Sequence, residues 1–362
     1  MVLSRTAANA AAPALAPTHP SSRLALSSLF TLALTCAVSL LETVAADSFQ
    51  PVIFPATSIL SSTLYVYGGL TSISSPTSYS SQFASVSLKD SFNSDKIPWM
   101  YLPTNISTAM APGARSRDRR LFILGGSRNN VGHAPALIYD SVGQTWSQAP
   151  NLPPKEGVAD VMLNYHRDSP GMALDFRSSI LVQFGGSNAT SVTNDLTLLI
   201  VDGSTGLMNW TYSGSLCSVP PLFAPIVLYI PRNKQTLIMG GCDQMDLESA
   251  TPSHCATFDT LYTLSTESVA SASANPPFMV NVTANGTLPS PRFLPCAVVL
   301  PDSNVFMMGG GNLTSPLADA WILNTQHWTW SRRDIGGLPA DGIMGHNCEM
   351  VEHDQILVIG GR

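Results

Sequence analysis

The chain has 362 residues, 44% hydrophobic and only 12% charged, with 26 Gly and 27 Pro and 18 basic against 24 acidic side chains. So few charges exclude a disordered chain, and a formal net charge of -6 excludes a general nucleic-acid binder, which needs a Lys/Arg surplus to neutralise phosphate.

Residues 1–23 are rich in Ala, Pro and Ser and carry Arg5 and Arg23 without an acid, and Leu24 to Leu41 is an uncharged apolar run. This reads as a secretory leader, with small residues at Val44 and Ala46 placing cleavage before Asp47, or as an uncleaved signal anchor. Residues 1–46 are therefore set apart as signal peptide or anchor. Both readings deliver everything from Asp47 onward to the outer side of a membrane.

Six short apolar segments then end in paired glycines: Gly68–Gly69, Gly125–Gly126, Gly185–Gly186, Gly240–Gly241, Gly309–Gly310 and Gly360–Gly361. The first glycines lie 57, 60, 55, 69 and 51 residues apart, the spacing of repeated supersecondary units. Runs of four to six residues rich in β-branched and aromatic side chains, stopped by glycine, predict strands buried on both faces. Ala at either glycine is expected to cost stability, because such a turn needs positive φ or close backbone approach.

A second signature follows several doublets. An apolar strand, a polar turn containing Asp140 and Gly143, Asp202 and Gly206, or Asn324, and then Trp146, Trp210 or Trp330 predict a β-hairpin whose Trp covers the sheet. The fourth repeat lacks this Trp, and Tyr262 is expected to replace it. The basic run Arg115 to Arg120 reads as hairpin surface charge, with a convertase cleavage site as the sharper alternative.

Beyond Cys36, five cysteines remain. Cys242 and Cys255 bracket one short polar loop and are expected to be bonded. Cys296 and Cys348 are either paired or merely buried, and Cys217 is unassigned. Sequons stand at Asn105, Asn188, Asn209, Asn281, Asn285 and Asn312, which in company with the leader predict a glycoprotein.

Strand, glycine pair, second strand, turn and Trp, followed by NLPP at Asn151 to Pro154 or LPSPR at Leu288 to Arg292, resemble the kelch repeat across nearly all of residues 47–362. The resemblance implies an all-β, kelch-like propeller of about six blades of four antiparallel strands. The family's first strand often carries Arg and then His, here represented by Arg292 and His346. The chain stops just after the sixth glycine pair, so the last blade is expected to be incomplete. Either strands around Gln50 to Leu60 complete it, or the sequence is part of a longer protein; the second is preferred, because Asp47 to Gly69 is needed for the first blade, and whether a C-terminal anchor follows is left open.

The resemblance also admits copper enzymes similar to galactose oxidase, built on Tyr and His ligands. Here His133, His166, His254, His327, His346 and His353 show no ligand spacing, so neither metal nor cofactor is expected, and Glu352–Asp354 reads as a hairpin tip. No GxGxxG loop or Gly-x-Ser-x-Gly elbow appears. The expected function is therefore binding of an extracellular or cell-surface protein, with a glycan second, through loops such as Gly126–Ala134 and Gly241–Thr257. A copper radical oxidase and a purely structural surface glycoprotein are the alternatives.

Overall fold

The computed structural model describes residues 6–7, 49–72, 79–93, 96–104, 113–115, 120–123, 125–126, 137–148, 167–175, 178–187, 191–201, 208–216, 218–244, 254–265, 279–311, 315–351 and 355–362. After β1 (Thr6–Ala7), the first sheet is β2 (Ala56–Leu60), β3 (Thr63–Tyr67), β4 (Phe83–Ser87) and β5 (Met100–Tyr101). The second is β6 (Gly113–Arg115), β7 (Arg120–Ile123), β8 (Leu137–Asp140) and β9 (Thr145–Gln148), and the third β10 (Gly171–Asp175), β11 (Ile180–Phe184), β12 (Asp195–Val201) and β13 (Met208–Ser215). The fourth is β14 (Ile226–Ile230), β15 (Gln235–Met239), β16 (Thr260–Ser265) and β17 (Met279–Thr283). The fifth adds the parallel β18 (Asn285–Gly286) to β19 (Cys296–Val299), β20 (Val305–Met308), β21 (Ala320–Asn324) and β22 (Thr329–Arg333). The sixth holds β23 (His346–Val351) and β24 (Gln355–Gly360), with β1 on the outer side of β24.

Each sheet is built on an antiparallel meander whose first strand, β19 in the fifth sheet, is innermost. The innermost strands touch in a cycle, β2 to β6, β10, β14, β19, β23 and back to β2. This is a β-propeller. It corrects the expectation of about six four-stranded blades: five sheets are complete, with four or five strands, and the sixth is a hairpin extended by Thr6–Ala7. Apart from that pairing, residues 1–46 lie outside the described residues. The stretch before Leu60 belongs to the first blade, as β2.

The core lies between blades. One apolar cluster joins the third and fourth sheets through Val182, Leu198, Val227 and Ile238, and another joins the fourth and fifth through Leu237, Met239, Val305 and Met307. A third joins the sixth sheet to the first, with Leu357 and Ile359 against Val52, Leu64 and Val66. The second strand of a blade is covered on both faces, which is why LYVY, LFI, ILVQF, TLIM and VFMM read as continuous rather than alternating apolar runs.

Backbone hydrogen bonds stitch the second, third, fifth and sixth blades to the one that follows through the second glycine of the pair. Gly126 N–H donates to Arg167 O at 2.8 Å, Gly186 to Leu222 O at 2.7 Å, Gly310 to Ile343 O at 2.8 Å, and Gly361 to Val52 O at 3.1 Å. The last of these closes the ring between the sixth sheet and the first. Thr57 Oγ1 donating to Glu349 Oε1 at 2.8 Å and Asn347 Nδ2 donating to Pro55 O at 2.6 Å reinforce that seam.

The hairpin signature is also realised. Asp140 Oδ1 accepts from Val142 and Gly143 N–H at 2.9 and 3.2 Å, and Asn324 Oδ1 accepts from Gln326 and His327 N–H at 3.0 and 2.9 Å. The two backbone donors hold the Asp140 carboxyl below the ordinary carboxylate range. Trp330 is buried, and its Nε1–H donates to Phe258 O of the preceding blade at 3.0 Å. Trp146 packs on Tyr67 and Phe83 of the first blade, with ring centroids 5.1 and 4.9 Å away. These Trp side chains therefore weld a blade to its predecessor as well as packing on their own sheet, Trp146 at 5.1 Å from Tyr139 and Trp330 in one cluster with Leu323. Trp210 lies in β13 opposite Leu199.

The expected role of Tyr262 is corrected. Trp146 pairs with Tyr139 and Trp330 with Leu323, and the corresponding partner of Leu264 is Met279, which packs against the cluster between the third and fourth blades. Tyr262 sits on the third strand and has a different place in that same cluster. A flexible thioether fills the gap that an indole fills elsewhere.

Candidate functional site

The six innermost strands surround an axial channel. Two cavities occupy it, of about 330 and 740 Å³, sharing Met172, Val227, Leu228, Val298, Val299 and Glu349 in their walls. The smaller opens among the segments that enter the innermost strands, and the larger among turns at the opposite end, such as Ser61–Ser62 and Pro301 to Ser303.

A recurring lead-in builds the first mouth. Phe54, Ser169, Ala224 and Leu294 hold left-handed φ of 57°, 48°, 52° and 54°, and each precedes a proline. Proline disfavours the right-handed helical region for the residue before it, and the left-handed turn then aims the strand down the axis. In the sixth sheet Gly345, at φ 68°, takes the strained place and His346 takes that of the proline. These turns bond to one another around the mouth: Gly345 N–H donates to Leu294 O at 3.3 Å, Phe54 N–H to Gly345 O at 2.8 Å, and Ala224 N–H to Ser169 O at 2.9 Å. Arg292 stands three residues before the proline place in the fifth sheet and His346 stands in that place in the sixth, so the two keep the Arg-then-His order, each in its own blade.

Arg292 is a structural clamp. It is fully buried, its guanidinium forks onto both carboxylate oxygens of Asp319, and it also donates to Gly309 O at 3.1 Å, Ser290 O at 2.9 Å and Ser290 Oγ at 3.0 Å. Arg167 occupies the same place in the third blade, where it donates to Asp195 O, Gln183 Oε1 and Thr197 Oγ1. Burial pushes the Arg167 pKa down to about 10, against the opposing pull of Asp195, so it stays charged at neutral pH. Sequence reasoning missed Arg167; its signal was the shared spacing Arg-x-x-Pro in RDSP and RFLP.

His346 lines the smaller cavity and is buried, with neither ring nitrogen in a hydrogen bond of ordinary geometry. Burial pushes its pKa down to about 3, outweighing the Met308 backbone, which favours the charged form, so the ring is neutral. Beside it Cys296 is bonded to Cys348, which resolves the alternatives left open for that pair. Glu349, one residue on, faces the channel with its carboxylate held by Thr57.

The Cys242–Cys255 disulfide is present and closes the loop leaving β15 on the face where the lead-in turns lie. Within it His254 Nδ1 meets Asp243 Oδ1 at 3.0 Å and Nε2 meets Gln244 Nε2 at 3.2 Å, so both ring nitrogens have partners. Replacing both cysteines by Ser is expected to lower stability by about 2–3 kcal/mol through the entropy of the opened loop, read as a lower Tm for the unreduced variant.

Asn281 and Asn285 are exposed on the outermost strands β17 and β18, whereas Asn105, Asn188 and Asn312 lie outside the described residues, and only the backbone of Asn209 is described. His133, His166, Cys217 and Glu352 to Asp354 likewise lie outside them, as does the centre of the basic run, whose last member Arg120 pairs with Asp140 at 3.8 Å. His327 lies in the β21–β22 turn, away from the channel group. Among the described residues, the one cluster with metal-ligating chemistry is Cys296, His346 and Cys348. No helix among them is long and apolar enough to cross a membrane. Two disulfides are compatible with an extracellular protein.

The chain matches no protein-family model and no curated protein sequence.

Proposed function

We propose that this is a kelch-type propeller of the extracellular space or cell surface that works as a binding module, its partner a protein and secondarily a glycan. The observation that carries this reading is the gathering, on one face, of the glycine doublets packed on the lead-in turns, the Cys242–Cys255 disulfide, and the mouth of the smaller cavity. Loops held by a rigid scaffold are where recognition concentrates. The opposite face offers much shorter connections between first and second strands, such as Ser61–Ser62 and Pro231 to Lys234. Read as a secretory signal, the leader delivers the chain to a compartment where disulfides form.

The test is a screen of the purified chain against arrays of extracellular proteins and glycans, followed by a variant in which residues 244–254 are replaced by a Gly/Ser segment of equal length with both cysteines retained. Saturable binding that falls at least tenfold in the variant is expected. Absence of a saturable ligand, or binding indifferent to the loop exchange, overturns the reading.

A further inference from the structure

The corner of the channel between the fifth and sixth sheets holds a chemistry that binding by surface loops does not use. Cys296 opens β19, while His346 and Cys348 sit on β23, two residues apart and so on one face of the strand. The two sulfurs and a ring nitrogen all lie within 4.8 Å of one another. All three residues line the smaller cavity; Cys296 and His346 are buried and Cys348 is partly buried.

His346 is the anomaly. A neutral imidazole carries one donor and one acceptor, and burying both without a partner of ordinary geometry carries a desolvation cost for each. A packing role alone would be served by proline, which fills this place in four other blades. The doublets also make room for the ring: a Cβ on Gly309 would come within 2.7 Å of its Cε1, and one on Gly361 within 2.8 Å of its Cβ.

We propose that reduction of the Cys296–Cys348 bond converts this corner into a Cys2His site for a borderline or soft cation such as Zn²⁺, with the fourth position open to the cavity. Tetrahedral zinc with bonds of about 2.0–2.3 Å sets its ligand atoms roughly 3.3–3.8 Å apart, so the two sulfurs must separate once their bond is broken, within a corner where all three ligand atoms already lie within 4.8 Å.

The redox step is thiol–disulfide exchange with a dithiol. Its thiolate attacks Sγ of Cys348, the more open of the pair, forming a mixed disulfide and expelling the Cys296 thiolate. The second thiol of the reductant then displaces Cys348 and the reductant leaves as its cyclic disulfide, so two electrons have passed to the protein. Both protein thiols release their protons as the cation binds.

Equilibrium dialysis of the full chain against Zn²⁺, with metal counted per chain, tests this before and after anaerobic reduction by a trialkylphosphine, which takes its oxygen from water as it becomes the phosphine oxide. The expected result is gain of one Zn²⁺ on reduction in the wild type and in the C242S/C255S variant, and no gain in C296S/C348S. His346→Gln is expected to weaken binding at least about tenfold, since losing even a group that merely supports a ligand costs that much. Co²⁺ in the reduced wild type, with no substitution to disturb folding, is expected to show thiolate-to-metal charge-transfer absorption. Equal uptake by the oxidised protein, no uptake after reduction, uptake retained in C296S/C348S, unchanged affinity in His346→Gln, or a cobalt spectrum without thiolate bands would each overturn the proposal.

Discussion

Arg292→Ala is expected to destabilise the propeller by about 3–5 kcal/mol, the cost of breaking a buried ion pair from one side. The guanidinium is completely buried and ties the entry of β19 to Gly309 at the end of β20 and to Asp319 just before β21, so three segments of one blade lose their common anchor. Chemical denaturation at neutral pH checks the magnitude. The pH dependence supplies a second, independent reading. Burial alone would raise the Asp319 pKa, but the hydrogen bonds and charge of Arg292, with lesser help from Trp321 and Arg332, carry it below the ordinary 3.8. The wild-type pair therefore contributes fully above that value, and its contribution is lost as pH falls through the depressed folded pKa. In the variant, burial acts unopposed by Arg292, so protonation of Asp319 favours the folded state. The gap between the two proteins is expected to narrow below about pH 4. A gap that stays constant down to pH 3 would show that Arg292 acts through packing alone.

The second large effect is expected at the glycine doublets, where Gly309→Ala should cost about 3 kcal/mol or more, from left-handed strain of 1–2 kcal/mol plus overpacking. Its φ is +62°, and a Cβ would stand 2.4 Å from the Ile343 carbonyl oxygen of the next sheet, where only a shift of one blade against another relieves the contact. Gly336 and Gly337 separate the two causes. Neither has an atom within 4 Å of a built Cβ, and only Gly337 has a positive φ, +84°. Gly336→Ala is expected to be neutral within about 0.5 kcal/mol, and Gly337→Ala to cost about 1–2 kcal/mol. Thermal melts of the three variants rank them. If Gly309→Ala melts with Gly337→Ala, close blade contact is not what the doublet serves.

These two sites show how differently the chain advertises its parts. The glycine doublets, the apolar runs before them and the Asp or Asn that opens a hairpin turn were legible because each is a local solution to a local problem, repeated along the chain. The loop disulfide was legible for the same reason, since Cys242 and Cys255 are close in sequence as well as in space. The proline before four of the innermost strands was visible too, but its meaning was not, because the left-handed residue ahead of it is set by the need to enter the channel wall. The role of Met279 was hidden behind Tyr262 because strand register decides which residue reaches the neighbouring blade.

The amino-acid pattern by itself determined an all-β chain of stacked repeats, since alternation of buried strand and tight turn is a matter of hydrophobicity and backbone sterics over a few residues. Only the tertiary structure decided how many blades are complete, that β2 and β23 close the ring, and that Cys296, His346 and Cys348 share one corner of the channel. Those outcomes depend on contacts between segments far apart in the chain. Such contacts are set by packing and closure of the whole ring, on which no short window of sequence carries information.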